Sequence, residues 1–308
     1  MQQFSGLPVN AIAQASIVTI GVFDGMHHGH QQFLHKLVTH AHTHHAYAVV
    51  VTFDPHPDSV VHPERASGLL IPPAERIRLM AECGIDAVFS VAFNHDVQAM
   101  SAADFMQWVA NATNMTALWV GWDFALGRGR EGTPERLTQI GAQRGFTVHT
   151  LPRIHTDSIA PSSTAIRQAL QAGDISGVNS MLGRQFRYRG VVVKGDQRGR
   201  TIGFPTANLA IDLRIMLPKY GVYASIATFA GVQYPAVTNI GQRPTFNGVE
   251  PRIEAHLLDV TFDMYDQVME LALVAFIRPE QRFNGFAELV AQIKTDAQTA
   301  RTILLQYP

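Results

Sequence analysis

The hydrophobic pattern of this chain changes period once, at Gly173-Asp174, and no single fold class accommodates both sides of the change. Before it, short apolar runs at 17–22, 48–53, 87–93, 117–121 and 147–151 alternate with stretches of helical spacing at 31–45, 74–83, 102–112 and 134–144. Apolar strands separated by helices pack most economically as a parallel sheet covered on both faces, with ligands beyond the strand C-termini. After a last helical stretch at 163–172, segments rich in Val, Tyr, Thr and Ile follow at 186–194, 222–229, 236–239, 253–262 and 268–277, with glycine-containing turns between them. That spacing predicts a closed or nearly closed antiparallel barrel, ended by one amphipathic helix over 286–305. With 308 residues there is enough chain for two cores, and the boundary is expected at 181–183, giving domains 1–182 and 183–308.

Composition narrows the function classes. A hydrophobic share of 46% against 16% charged residues describes a chain that folds rather than a disordered one. The formal net charge of −1, from 24 Lys+Arg and 25 Asp+Glu, provides no global field for nucleic acid or an anionic membrane, so any phosphate site must be built locally. Cys83 is the only cysteine, which rules out an intrachain disulfide framework or a multi-thiolate metal site and fits a reducing compartment. No run reaches bilayer-spanning length and residues 1–10 lack a secretory pattern, so a cytoplasmic protein is expected. Homo-oligomerisation is left open.

Two constellations carry chemistry. In the first half, the strand at 17–22 runs through Gly21-Val22-Phe23-Asp24-Gly25-Met26-His27-His28-Gly29-His30 straight into a helix. Glycines at 21, 25 and 29 permit a tight turn, and a helix start offers unpaired N–H groups at its positive end, a combination that suits phosphate. His27 and His30, three apart, are expected to project to one side and donate to a single triphosphate. Fixed donors around an α-phosphate stabilise the charge of an in-line displacement, and no covalent nucleophile is required.

In the second half, the run from Gly190 to Leu209 reads as a strand followed by a glycine-rich flap, with Lys194, Arg198 and Arg200 available to a polyphosphate. Thr206 and Asn208 alternate along an extended segment and share one face, offering two hard oxygens to Mg²⁺.

These residues resemble the prokaryotic bifunctional riboflavin kinase/FMN adenylyltransferase (FAD synthetase) family. The Gly-x-Phe-Asp-Gly-x-His-x-Gly-His run, Thr52-Phe53-Asp54-Pro55-His56-Pro57, the loop from Gly121 to Gly132, and Ser162-Ser163-Thr164-Ala165-Ile166-Arg167 are similar to its nucleotidyltransferase module. The flap with Pro205-Thr206-Ala207-Asn208, the Thr238–Phe246 stretch and Glu254-Ala255-His256 are similar to its kinase module. The resemblance spans nearly the whole chain. It implies a Rossmann-like HxGH-type α/β domain followed by an antiparallel kinase barrel with a C-terminal helix. ATP, riboflavin and FMN would be substrates and FAD the product, with Mg²⁺ as cofactor. It further implies that Gly21, Phe23, His27, His30, Asp123, Ser163, Thr164 and Arg167 bind ATP for adenylylation, with His27 and His30 catalytic. In the barrel it implies that Gly195, Asp196, Gly199, Arg200, Gly203, Thr206 and Asn208 bind ATP, that Thr206 and Asn208 hold Mg²⁺, and that Glu254 is the base for the riboflavin 5′-hydroxyl. A carboxylate beside an alcohol is a sound general base if it comes within hydrogen-bond reach. The chain departs from the family at Ala160, Pro161, Leu126 and Asp266.

Two rivals stay open at this point: an adenylyltransferase for another phosphorylated acceptor, and a flavin-binding regulator whose adenylyl site has decayed, for which Ala160 and Pro161 are the only support. His40, His42, His44 and His45 read as a solvated helix end rather than a metal site, Trp108 and Trp119 as core aromatics, Trp122 as a pocket residue, and Cys83 as buried and inert.

Overall fold

The computed structural model describes residues 1–65, 67–152, 161–195, 199, 202–245, 248–260 and 262–307. The chain divides into two compact units, Met1–Pro161 and Ser162–Pro308.

The first unit contains β1 (Gln2–Ser5), β2 (Ser16–Ile20), α1 (His28–Thr43), β3 (Tyr47–Phe53), α2 (Pro57–Val61), α3 (Pro73–Glu82), β4 (Ala87–Val91), α4 (His95–Ala99), α5 (Ala102–Thr113), β5 (Met115–Gly121), α6 (Pro134–Arg144) and β6 (Thr147–Leu151). Its strands lie in the order β1-β4-β3-β2-β5-β6, every neighbouring pair parallel. All five residues of β2 are buried, including the hydroxyls of Ser16 and Thr19, so its sequence shows no alternation of apolar and exposed polar positions. Alternation survives in where the side chains go. Val18, Ile20, Val49 and Val51 join Phe105, Met106 and Leu137 from α5 and α6 on one face, while Ile17, Ala48 and Val50 join Leu34, Leu37, Leu79 and Met80 from α1 and α3 on the other. From β2 the chain builds outward through β3 and β4, then returns to place β5 on the opposite side, so the C-terminal ends of β2 and β5 flank the point where strand order reverses. That is where an open parallel sheet leaves a crevice for ligand.

The short edge strand β1 was not legible in the sequence; its one inward aromatic, Phe4, stacks on Phe89 with ring centroids 4.5 Å apart.

The second unit begins with α7 (Ser163–Ala172) and α8 (Ile175–Leu182) and continues through β7 (Phe186–Val193), β8 (Ala207–Ala210), β9 (Gly221–Phe229), β10 (Val232–Thr245), β11 (Gly248–Leu257), β12 (Val268–Pro279) and α9 (Phe286–Leu305). Its six strands close into a barrel in the order β10-β11-β8-β7-β12-β9, all pairs antiparallel. Phe186, Tyr188, Tyr223, Leu271 and Leu273 are among its fully buried residues, and the Tyr188 hydroxyl, pushed well up in pKa by burial and then by Tyr223, donates to Met216 O at 2.9 Å. Helix α9 lays Ala297 and Ala300 against Val222, Ala224, Val237 and Leu258; small residues on the helix let the backbone approach the barrel.

Two features differ from the sequence expectation. Helix α8 occupies a stretch in which only a break was read, because its eight residues sit between Gly173 and Gly183, both left-handed, and show just two turns of apolar spacing through Ile175, Val178 and Leu182. The compact unit also starts ahead of 181–183. Asn179 explains why: its Nδ2 donates to Leu273 O at 3.0 Å and its Oδ1 accepts from Phe186 N at 2.7 Å, tying α8 to β12 and β7, while Lys219 N donates to Leu170 O at 2.8 Å. Sequence periodicity reports how a helix repeats, not which core it joins.

Candidate active sites

The turn between β2 and α1 is built by one left-handed glycine and two left-handed residues that are not glycine. Gly25 has φ +80°, and a Cβ there would sit 2.8 Å from Leu70 Cδ1; Phe23 and Met26 have φ of 54° and 43°. Strain of about 1–3 kcal/mol at each of the latter two is held by its surroundings. Asp24, buried, accepts from Leu70 N through both carboxylate oxygens at 3.0 and 3.1 Å, and Phe23 O accepts from Met26 N. Gly21 and Gly29 serve close approach instead of turning: a Cβ at Gly21 would touch the Phe23 ring at 2.9 Å, and one at Gly29 the His27 ring at 3.2 Å.

This turn brings His27 and His30 together. His27 is the N-cap of α1, its Nδ1 accepting from His30 N at 3.3 Å, and the two imidazoles stack with centroids 3.6 Å apart and planes inclined by 19°. Phe23 meets His30 edge-on at 5.2 Å. Burial first, and His27 second, hold His30 well below the ordinary imidazole pKa, so it is neutral near pH 7. Its Nδ1 is buried without a hydrogen-bond partner among the described residues, which marks a polar atom waiting for one. The backbone of Pro161 passes beside the same turn, its carbonyl 3.8 Å from the position of a Cβ on Gly29.

Beyond the strand ends lies a cleft of about 750 Å³, lined by Gly21, Phe53, His56, Phe93, Asp123 and Arg130 among others. Asp123 therefore stands on the cleft wall, and its carbonyl accepts from Arg130 at 3.5 Å. Sequence reasoning did not find the aromatic lining. Phe53 meets Phe93 edge-on at 5.5 Å and lies tilted to Phe105 at 6.0 Å, and the sequence placed these residues in strands or a helix without giving their rings a role. It also missed Arg76, which is only 2% exposed and donates to Phe53 O at 2.9 Å. Burial lowers the pKa of that guanidinium while Asp24 and Asp54 hold it up, so one buried cation braces the loops after β2 and β3. Its position within a helical stretch gave no signal of burial.

Ser163, Thr164 and Arg167 lie on α7 in the second unit. The N-cap is Ser162, whose hydroxyl accepts from Ala165 N at 3.1 Å; the capping role considered for Ser163 and Thr164 belongs to the residue before them. Ala160 lies outside the described residues.

In the barrel, Thr206 immediately precedes β8 and Asn208 lies within it, opposite Glu254 of β11. Asn208 is 8% exposed. Gly195 and Gly199 close over them by lacking side chains: a Cβ on Gly195 would collide with the Asn208 amide, and one on Gly199 would collide with Phe204 O and stand 3.6 Å from Thr206 Oγ1. Gly203 adopts φ +85°. Asp196 and Arg200 lie outside the described residues. Two cavities meet at Thr206. One of about 340 Å³ is lined by Glu254, Arg252, His256, Asn239 and Phe283, and the other of about 320 Å³ by Pro205, Ala207, Phe262, Asp263 and Tyr265.

Three further side chains were given no role by the sequence reading. His256 Nδ1 lies 2.8 Å from Pro205 O and its ring meets Phe204 edge-on. Arg252 contacts both Asn208 and Glu254. Arg278 is clasped by buried Asp296 of α9, Nε to Oδ1 at 2.9 Å and Nη2 to Oδ2 at 2.7 Å, at the edge of the Glu254 cavity. Each partner is distant in sequence from the motif it supports or lies on a strand whose register was unknown.

The remaining histidines and aromatics pack or pair at the surface. His42 Nε2 is 2.9 Å from Asp86 Oδ2, and His40 packs against Trp119 at 4.9 Å. Trp108 donates to Leu7 O at 3.0 Å, and Trp122 is half exposed without lining the large cleft. Cys83 is buried and its thiol is pushed up by burial, then by Glu82, which makes it a poor nucleophile. Among the described residues no helix is long and apolar enough to cross a membrane.

Two family models match: one described as FAD synthetase over residues 9–165, and one described as riboflavin kinase over residues 182–304. The chain is 38% identical to the bifunctional riboflavin kinase/FMN adenylyltransferase of Escherichia coli K12, covering 94% of this chain and 92% of that protein. It is 34% identical to the protein of the same name from Bacillus subtilis, covering 92% and 91%. Among solved structures, one from Streptococcus pneumoniae that is called a macrolide-efflux protein superposes with a TM-score of 0.89 and 29% identity, covering 98% of this chain and 99% of that one.

Proposed function

The chain belongs to the family of bifunctional riboflavin kinase/FMN adenylyltransferases, and from that premise we propose which of its residues perform each reaction. It phosphorylates riboflavin to FMN with ATP and adenylylates FMN to FAD with release of pyrophosphate. The observation that carries the division of labour is that each compact unit holds its own cleft, next to its own glycine-shaped turn.

For adenylylation, His27 and His30 donate to the phosphates of ATP, with the positive end of α1 behind them. A neutral His30 carries one ring N–H for a phosphate oxygen, and no internal hydrogen bond at Nδ1 among the described residues competes for it. The charge that develops on the α-phosphoryl group as an FMN phosphate oxygen attacks is met by donors already in place. The aromatic wall of the large cleft takes the flavin ring, and Gly21, Phe23, Asp123, Ser163, Thr164 and Arg167 serve the nucleotide, as the resemblance implies. By the resemblance, residues 1–182 carry the adenylyltransferase and residues 183–308 the kinase, with α7 and α8 assigned to the first by motif and to the second compact unit by packing.

For the kinase step, the cavity containing Glu254 takes riboflavin and the one containing Phe262 and Tyr265 takes ATP, so the 5′-hydroxyl and the γ-phosphate meet at Thr206. Glu254 accepts the hydroxyl proton as oxygen attacks phosphorus and ADP leaves. Gly195, Gly199 and Gly203 border the phosphates, and the resemblance assigns Asp196 and Arg200, outside the described residues, to the same ATP. Thr206 through its hydroxyl and Asn208 through its amide oxygen would hold Mg²⁺, and the ion would supply charge neutralisation to the phosphoryl groups. The Asn208 oxygen also accepts from Arg252, so one of its two acceptor sites is already taken.

The protein acts in the cytoplasm, where both vitamin and ATP are available; its single buried thiol fits that compartment. Incubation with riboflavin and Mg-ATP tests the whole assignment. FAD is the expected product, FMN alone would remove the adenylyl reading, and tight flavin binding with no product would point to a sensor.

A further inference from the structure

The kinase cavity contains a guanidinium that the two reactions, as assigned above, leave without a task. Arg252 and Glu254 are two residues apart on β11 and so share a face, and Asn208 is the cross-strand neighbour of Glu254 on β8. Arg252 Nε donates to Asn208 Oδ1 at 2.8 Å, and its Nη2 lies 3.0 Å from Glu254 Oε1. Both Arg252 and Glu254 are mostly covered, and both line the cavity in which Thr206 also stands.

One planar cation therefore holds one oxygen of each neighbour. A guanidinium presents its N–H groups in a fixed fork, which a flexible ammonium does not reproduce. Two consequences follow from the chemistry. With Oε1 held by Arg252, the plane of the Glu254 carboxylate is fixed, and a fixed carboxylate meets an alcohol in one geometry. With Oδ1 turned to Arg252, the Asn208 amide directs Nδ2 towards Gly195, where a side chain of any size would collide with it.

We propose that Arg252 is a positioning residue for phosphoryl transfer, setting the rotamer of the Glu254 base and the orientation of the Asn208 amide through one shared guanidinium. The inference rests on the reading of Glu254 as the base. Its role lies in orientation at the transition state rather than in holding riboflavin, so its loss lowers kcat more than it raises KM.

The test uses the full-length enzyme with four variants, Arg252→Met, Arg252→Lys, Arg252→Ala and Glu254→Gln, each assayed for FMN formation from riboflavin and for thermal unfolding. Arg252→Met is expected to lose about 10–100-fold in kcat, the scale of a misplaced reacting group, with KM for riboflavin within about threefold. Arg252→Lys should recover only part of the loss. Millimolar guanidinium should restore activity to Arg252→Ala and leave Glu254→Gln unchanged. Retention of wild-type kcat by Arg252→Met while Glu254→Gln is inactive would overturn the inference alone. Wild-type activity in Glu254→Gln would overturn the assignment of the base and this inference with it. A loss in Arg252→Met that follows a fall in unfolding temperature, without rescue by guanidinium, would reduce Arg252 to a structural residue and also overturn the proposal.

Discussion

The turn between β2 and α1 and the β8–β11 rung of the barrel handle the same kind of group in opposite ways. In the first unit the polar atoms are kept waiting: His30 is neutral, buried, and has an Nδ1 with no partner among the described residues. In the second they are already engaged, with Arg252 spanning Asn208 and Glu254. The difference follows from the scaffold. A helix start supplies fixed dipoles and N–H groups, so its side chains need only complete a shell that the backbone begins. A barrel strand presents no such terminus, since its backbone groups are consumed in the ladder, and orientation must come from side chains that hold each other.

The hardest test of that contrast is to disable each site separately. His30→Ala is expected to lower FAD formation by about 10²–10³-fold, the scale of a lost transition-state donor, and to leave FMN formation from riboflavin intact. Glu254→Ala should lower FMN formation by about 10²–10⁴-fold, the scale of a lost general base, and leave FAD formation from supplied FMN intact. Product chromatography reads both, and loss of both activities in either variant would break the comparison.

Arg76→Met sharpens it on the side of stability. Removing a buried cation strands Phe53 O and takes a favourable charge away from Asp24 and Asp54, and losing a hydrogen bond from a charged donor costs about 1.5–3 kcal/mol. Chemical denaturation should show the loss, while kinase activity at low temperature persists.

A smaller effect comes from protons. Because the folded state depresses the pKa of His30, the unfolded chain binds more protons, and stability contributed by this residue is present above the unfolded value of about 6.5 and is lost as pH falls through it. ATP bound beside His30 favours the protonated imidazole, so ATP binding near pH 7 should take up a fraction of a proton. Calorimetry in two buffers of different ionisation enthalpy measures it, and His30→Gln should abolish it. Least of all, Ser162→Ala should cost about 1 kcal/mol through the lost cap of α7, visible as a lower unfolding temperature.

Much of the architecture was legible before any coordinates. The apolar runs of β2 to β6 and the helices between them stood out because a buried parallel strand and an amphipathic helix write different periods. The barrel was legible as a class, although β8, with four residues, was too short to register as a strand, and β10 runs well beyond 236–239. Of the proposed site residues, His27, His30, Thr206, Asn208 and Glu254 were nominated by motif. Arg76, Arg252, Asp296 and the ring of phenylalanines did not, since an arginine in a helix, an arginine in a strand and a phenylalanine in an apolar run each have an ordinary explanation.

The amino-acid sequence by itself determined the two fold classes and their order and nominated the residues proposed to carry chemistry, because periodicity and glycine placement are local properties of the backbone. Tertiary structure alone decided that α7 and α8 pack with the barrel, that a buried guanidinium braces the loops after β2 and β3, and that Arg252 reaches Asn208 and Glu254 together. The physical reason is register: which side chains meet across a sheet or under a loop depends on pairings between residues far apart in the chain, and no local pattern encodes them.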